Sequence, residues 1–187
     1  MPATDIALRA EQPVVFDNGF ATAFGFQTKD PDFKKPLHGI PVTLSDFSVL
    51  VGFEMNDYNK AKAKLLLNSA QAQLLDEIHA TYLVPALNKM FEDNAWSLEN
   101  LKVGVPHWNN ELSVTFPTGR PVDMEFSTDA PNRPKGVYKA DLSTVKKQMA
   151  DNVPREMQVK MNVYLRHSEE NDQYYAGYYA TVQKISF

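Results

Sequence analysis

Leu112, Val114 and Phe116 alternate with polar residues, and Val122, Met124 and Phe126 repeat the alternation a few residues on. This is the period-two pattern of strands with one buried face. Pro117-Thr118-Gly119-Arg120-Pro121 between them reads as a turn. Val159, Met161, Val163 and Leu165 alternate again within 153–166. Along 175–187 one face carries Tyr175, Gly177, Tyr179, Thr181, Gln183, Ile185 and Phe187, and the other carries Ala176, Tyr178, Ala180, Val182, Lys184 and Ser186. Ser168 to Asp172 is a polar hairpin loop joining these last two strands. In the first half, Val14-Val15-Phe16 and 20–26 read as strands around an Asp17-Asn18-Gly19 turn. Residues 42–53, ending in Val49-Leu50-Val51-Gly52-Phe53, read as one buried strand.

Between the two sets of strands the period changes. Asn56-Asp57 offers a helix N-cap, and Leu67, Ala70, Leu74, Ile78 and Tyr82 recur at three- and four-residue intervals within 58–83. A long helix is therefore expected there, packing its Leu67, Ala70, Leu74 and Ile78 face on the strands. Lys60, Lys62 and Lys64 fall in its first turns, the end where the helix dipole disfavours cations. Pro85 should kink or restart it, with a short second piece reaching Phe91. Proline-rich loops are expected over 28–41 and 129–136, and a loose arm over 1–13. Strands on both sides of one long helix indicate an α+β fold, mainly β. A small antiparallel barrel is the natural way to remove sheet edges.

The chain has 187 residues, 43% of them hydrophobic and 22% charged, which fits one globular domain over 1–187. No stretch approaches the 18 consecutive apolar residues of a membrane-spanning helix, so no membrane partner is expected. The first ten residues carry Asp5 and Arg9 and no apolar core of a secretory signal. The absence of cysteine excludes disulfides, thiolate catalysis and cysteine-ligated zinc. A cytoplasmic location is expected, the host cytoplasm if the chain is phage-encoded. Net charge is −4, but residues 133–166 hold eight basic and three acidic residues. That segment is +5 and the remainder −9, an asymmetry able to create a positive patch on an acidic protein.

Enzyme chemistry finds little support. The four histidines, His38, His79, His107 and His167, show no metal-ligand spacing, and no nucleophile elbow, Walker loop or dinucleotide fingerprint is present. Asp123 and Glu125 alternate with apolar residues on a strand and face the same way. Two carboxylates so placed can bind a metal, although a solvent-facing strand is the plainer account. Neither catalysis nor a cofactor is expected.

Tyr174, Tyr175, Tyr178 and Tyr179 fall within six residues, beside Arg166 and the basic segment. Exposed aromatics stack on bases of any sequence while cations follow the phosphates; the alternative is ordinary strand packing. The run Val153-Pro154 through Gln158 to Tyr164, then a polar loop, then Tyr175 to Ile185, resembles the closing hairpin of bacteriophage single-stranded DNA-binding proteins with an OB-fold. Residues 48–53, the Asn56-Asp57 turn and the Lys/Ala-rich stretch 60–83 resemble that family's strand-to-helix insertion. The resemblance covers more than half of the chain. It implies an OB-fold-like small antiparallel barrel with one long inserted helix. It also implies sequence-independent binding of single-stranded DNA, with RNA as the other candidate, in replication, recombination or repair.

By that resemblance the nucleic-acid-binding residues are Tyr164, Arg166, Tyr174 and Tyr178, with Lys160, Lys146, Lys147, Arg133 and Lys135 as cations. Replication or recombination proteins are the implied protein partners, and a homodimer is the oligomer considered. The family's long acidic tail has no counterpart after Phe187, which puts tail-mediated recruitment in doubt. The competing reading is a phage interaction or structural protein, or an inhibitor of a host enzyme, with no nucleic-acid role.

Overall fold

The computed structural model describes residues 14–17, 22–25, 40–93, 95–128, 134–168 and 170–187. The arm over 1–13, the residues Asn18-Gly19, and most of the two proline-rich loops lie outside them. Strands β1 (Val14–Asp17), β2 (Thr22–Gly25), β3 (Ile40–Ser45), β4 (Ser48–Met55) and β5 (Ala61–Leu66) lead into helix α1 (Ser69–Ile78). A π-helical turn (His79–Leu83) joins α1 to α2 (Val84–Asp93). A 3-10 turn (Leu98–Asn100) precedes β6 (Leu101–Val103), β7 (Glu111–Thr115), β8 (Val122–Phe126) and β9 (Gly136–Ala140). Helix α3 (Leu142–Asp151) then separates these from the two long strands β10 (Glu156–Ser168) and β11 (Gln173–Ser186).

The fold is α+β and mainly β. The expected antiparallel arrangement is corrected to a mixed one. β11 pairs parallel with β6, β7 and β8, while β1·β2, β4·β5, β5·β7 and β8·β9 are antiparallel. Among the described strands the sheet does not close on itself. The described residues group into two compact units, and the chain passes between them several times. One unit holds β1, β2, Ala70–Trp108 and Met161–Tyr179. The other holds Pro41–Ser69, most of Asn109–Lys160, and Ala180–Phe187.

In the second unit the core follows the alternation read from sequence. Leu112 and Val114 of β7, and Val122, Met124 and Phe126 of β8, are buried, as are Met157 and Val159 of β10. Residues 42–53 form two strands rather than one. Asp46 adopts a left-handed φ of 52° and breaks the run between β3 and β4. The helix expected from residue 58 begins only at Ser69. Before it, Ala61-Lys62-Ala63-Lys64-Leu65-Leu66 is a strand with strict alternation, its alanines and Leu65 buried and its lysines exposed. Lys62 and Lys64 therefore sit on an outer sheet face, not at a helix N-terminus, and Lys64 Nζ pairs with Glu111 Oε2 at 3.3 Å.

Asn56 caps no helix. Its Oδ1 accepts from the Tyr58 and Lys60 amides at 3.1 and 2.9 Å, and Asn59 turns back at φ 54°, closing the β4–β5 hairpin. Helix α3 was not expected from the sequence. Asp141 is its N-cap, accepting from the Thr144 amide at 2.8 Å, and Val145 is its fully buried contact.

In the first unit, β2 pairs antiparallel with β10 through Val163↔Phe24, and β6 pairs with β11 through Tyr175↔Lys102. The buried face of α1 is Gln71, Ala72, Leu75 and Ile78. Expectation placed Leu74 and Ala70 there. Ala70 is exposed and Leu74 only half-buried, so the stripe lies one residue further along. Pro85 does not end the helix: it is the second residue of α2, the further piece that runs through Phe91. In a regular α-helix its ring would press on the carbonyl of residue 81. The wider π turn just before it, closed by the Val84 amide on the His79 carbonyl, removes that conflict.

Candidate nucleic-acid interface

The tyrosine quartet on β11 divides by strand alternation. Tyr174 stacks on Trp96 with centroids 5.2 Å apart and planes at 18°, and both rings meet the fully buried Phe91 edge-on, at 5.0 and 5.3 Å. T-shaped and offset contacts of this kind are the favourable aromatic geometries. Tyr178, four residues on, shares a 2.5 Å hydrogen bond with His79 Nδ1 at the start of the π turn. These two tyrosines are thus engaged in packing. Tyr175 and Tyr179 point the other way and are 37% and 41% exposed. Gly177 lies between them on the same face. Lys102 stands opposite Tyr175 in the parallel β6–β11 register, with Nζ 5.7 Å from the ring centroid. The Tyr175 hydroxyl donates to Gln173 Oε1 at 2.7 Å, which tethers that ring to its same-face neighbour.

The expected site residues distribute as follows. Tyr174 and Tyr178 lie in the first unit in the packed positions just given. Tyr164 and Arg166 belong to β10, the strand beside β11, and only their backbone is described. Arg133 lies outside the described residues. Lys135, Lys146, Lys147 and Lys160 belong to the second unit. Lys146 and Lys147 are exposed on α3, and exposed Lys135 adds to the field on Glu125. Lys160 is half-buried. Burial first, and nearby Arg120 second, hold its ammonium below the usual lysine range. Lys102 was not singled out from the sequence, and Tyr175 and Tyr179 stood in the tyrosine quartet without being named as binding residues. The strand alternation that separates the two tyrosine pairs was legible, but which pair packs was not. A three-residue strand such as β6 leaves no periodic signal to place Lys102.

Asp123 and Glu125 do face one way, each engaged by a lysine: Lys139 Nζ lies 2.6 Å from Asp123 and Lys184 Nζ 2.8 Å from Glu125. Glu125 also accepts from the Ser186 hydroxyl at 3.0 Å. The Lys184 and Ser186 hydrogen bonds hold the Glu125 carboxyl below the ordinary glutamate range. Among the described residues no three His, Asp or Glu side chains converge as a metal site.

No known protein family, curated protein or solved structure matches this chain. The interface therefore rests on its own geometry.

The packed side of β11 carries a titratable pair, Tyr178 with His79. His107, remote in sequence from both, has Nε2 3.1 Å from Asp76 Oδ1, and among the described residues its buried Nδ1 has no hydrogen-bond partner. Desolvation lowers the His79 pKa below the ordinary 6.5, offset in part by Asp76. Burial, with Asp76 adding to it, holds the Tyr178 phenol above its ordinary value of 10.0. A histidine with a depressed folded pKa contributes fully above pH 6.5 and loses that contribution as pH falls below 6.5 toward the folded value. A tyrosine with a raised one contributes below pH 10.0 and loses it as pH climbs toward the folded value. The urea midpoint is expected to fall on both flanks, and His79→Gln to flatten the limb just below pH 6.5. Parallel profiles for wild type and His79→Gln in that window would assign the acid limb to other groups.

Proposed function

We propose that this chain binds single-stranded nucleic acid, DNA in the first instance, by stacking bases on the open face of β11. The observation that carries the reading is the pair Tyr175 and Tyr179: exposed, on one strand face, separated by a glycine and flanked by Lys102. A base stacks on an exposed aromatic ring, and Gly177 puts no side chain between the two rings. Lys102 is long and flexible, and a phosphate offers it a stronger partner than the ring face does. No covalent step is part of the proposal.

The family resemblance supports the same reading, in replication, recombination or repair. The OB-type barrel it implies belongs to that kinship and stands or falls with it. The open β11 face needs only its exposed tyrosines.

The test is a fluorescence-anisotropy titration with one oligonucleotide presented single-stranded and as duplex. Single-strand binding is expected to be the tighter and to weaken as salt rises, since phosphate contacts release counterions. The slope of log affinity against log salt should become shallower in Lys102→Ala by about one phosphate contact. Absent binding, or equal affinity for both forms at low salt, would overturn the reading.

A further inference from the structure

β4 is an unusual edge. It ends the strand order and pairs with β5 alone among the described strands. Natural sheets blunt such edges with lysine, proline, very short strands, β-bulges or a covering element. β4 runs for eight residues, Ser48-Val49-Leu50-Val51-Gly52-Phe53-Glu54-Met55, with no lysine and no proline. Only Phe53 is buried, while Leu50, Val51 and Met55 are 46%, 37% and 57% exposed. Beside the strand lies a groove of about 650 Å³, walled on one side by Val49, Gly52 and Phe53 and on the α3 side by Lys146, Met149 and Val153. A Cβ added at Gly52 would meet nothing within 4 Å, so the groove floor is open at mid-strand. An edge with a row of backbone donors and acceptors next to a groove of mixed polar and apolar lining is a geometry that accepts an added strand.

We infer that the occupant is β4 of a second copy, added antiparallel about a two-fold axis near Val51. The charges of the strand favour this partner and this direction. Parallel addition in register would set Glu54 beside Glu54. Antiparallel addition about Val51 sets Glu54 opposite Ser48 and Phe53 opposite Val49. The groove itself holds one acid, Glu54, and one base, Lys146. Each copy thus brings one acid and one base to the seam, a balanced set that a self-complementary interface can use. Pairing would cover the exposed Leu50 and Val51.

β4 also departs twice from regular register with β5, between Val49 and Val51 and again between Val51 and Glu54. Such bulges increase the local twist of a strand. A twisted edge suits one closing partner and resists the flat stacking of fibres. The inference is independent of nucleic-acid binding.

The experiment is sedimentation velocity on the full chain over a concentration series, with hydrogen exchange of the β4 amides at each concentration. Wild type is expected to dimerise reversibly, and its β4 amides to gain protection as it does. Val51→Glu sets a carboxylate opposite Lys64 within the same copy, where it is favourable. In the dimer it sets two carboxylates face to face on the axis. This variant is expected to stay monomeric with an undiminished melting temperature. Mixing it with Val51→Lys should restore association as a heterodimer. Three results would overturn the inference: a wild type that is monomeric throughout, an undiminished Val51→Glu dimer, or β4 amides protected only by an added extended peptide.

Discussion

Phe91→Ala is expected to destabilise the first unit by about 3–5 kcal/mol, the cost of emptying a fully buried aromatic site. Phe91 is completely buried and touches Trp96 and Tyr174 edge-on, while those two rings stack on each other. Removing it leaves the stacked pair with nothing behind it. The loss should appear as a lower urea midpoint, together with a red shift of Trp96 emission and loss of near-ultraviolet dichroism. Trp108 is largely exposed and supplies a constant background, so a Trp108→Phe host isolates the Trp96 signal. A Phe91→Ala chain with wild-type midpoint and dichroism would remove the aromatic cluster from the list of stabilising contacts.

The second large effect is on binding. Base–aromatic stacking contributes about 1–3 kcal/mol per base by alanine substitution. Tyr175→Ala and Tyr179→Ala are each expected to weaken single-strand binding by roughly tenfold or more. The double variant should weaken it further, while the urea midpoint stays near wild type because both rings are substantially exposed. Tyr178→Ala supplies the contrast. Its ring is engaged with His79 on the packed side, so truncation should lower stability first. Equal affinity of wild type and the double variant would remove the β11 face from the interface, whatever the chain binds.

The second half of the chain was the more legible. Residues 112–116 and 122–126 alternate cleanly because each strand has one buried face, and the structure buries the alternate residues expected; of the run expected over 153–166, Val159 and Met161 are buried. The stretch 58–83 misled for a definite reason. Alanine, lysine and leucine are strong helix formers, yet Ala61, Ala63 and Leu65 also obey period two. Cross-strand pairing with β4 and β7 decided for the strand. Leu67 then lent a false first member to a helical stripe that begins only with Gln71 and Ala72. α3 escaped notice because its residues were read for charge. The spacing of Leu142, Val145 and Met149 behind Asp141 was a helix signal in plain view. At the candidate interface, alternation separated Tyr175 and Tyr179 from Tyr174 and Tyr178. Choosing between the pairs required knowing where Trp96 and His79 come to rest, which are long-range facts.

The π turn at His79–Leu83 acts as a phase corrector for the helix that contains it. At about 100° per residue, an uninterrupted α-helix would leave Leu75 and Leu87 about 120° apart around the axis. A π turn absorbs one residue without advancing the rotation, which brings the two to within about 20° and Phe91 to about 60° from Leu75. All three are buried, as that alignment requires. The turn thus behaves as a one-residue insertion accommodated within the helix. Deleting a single residue between 79 and 83 would give an ordinary helix with Leu87 and Phe91 still in line with Leu75, whereas keeping every residue and forcing α geometry would swing them about 100° away.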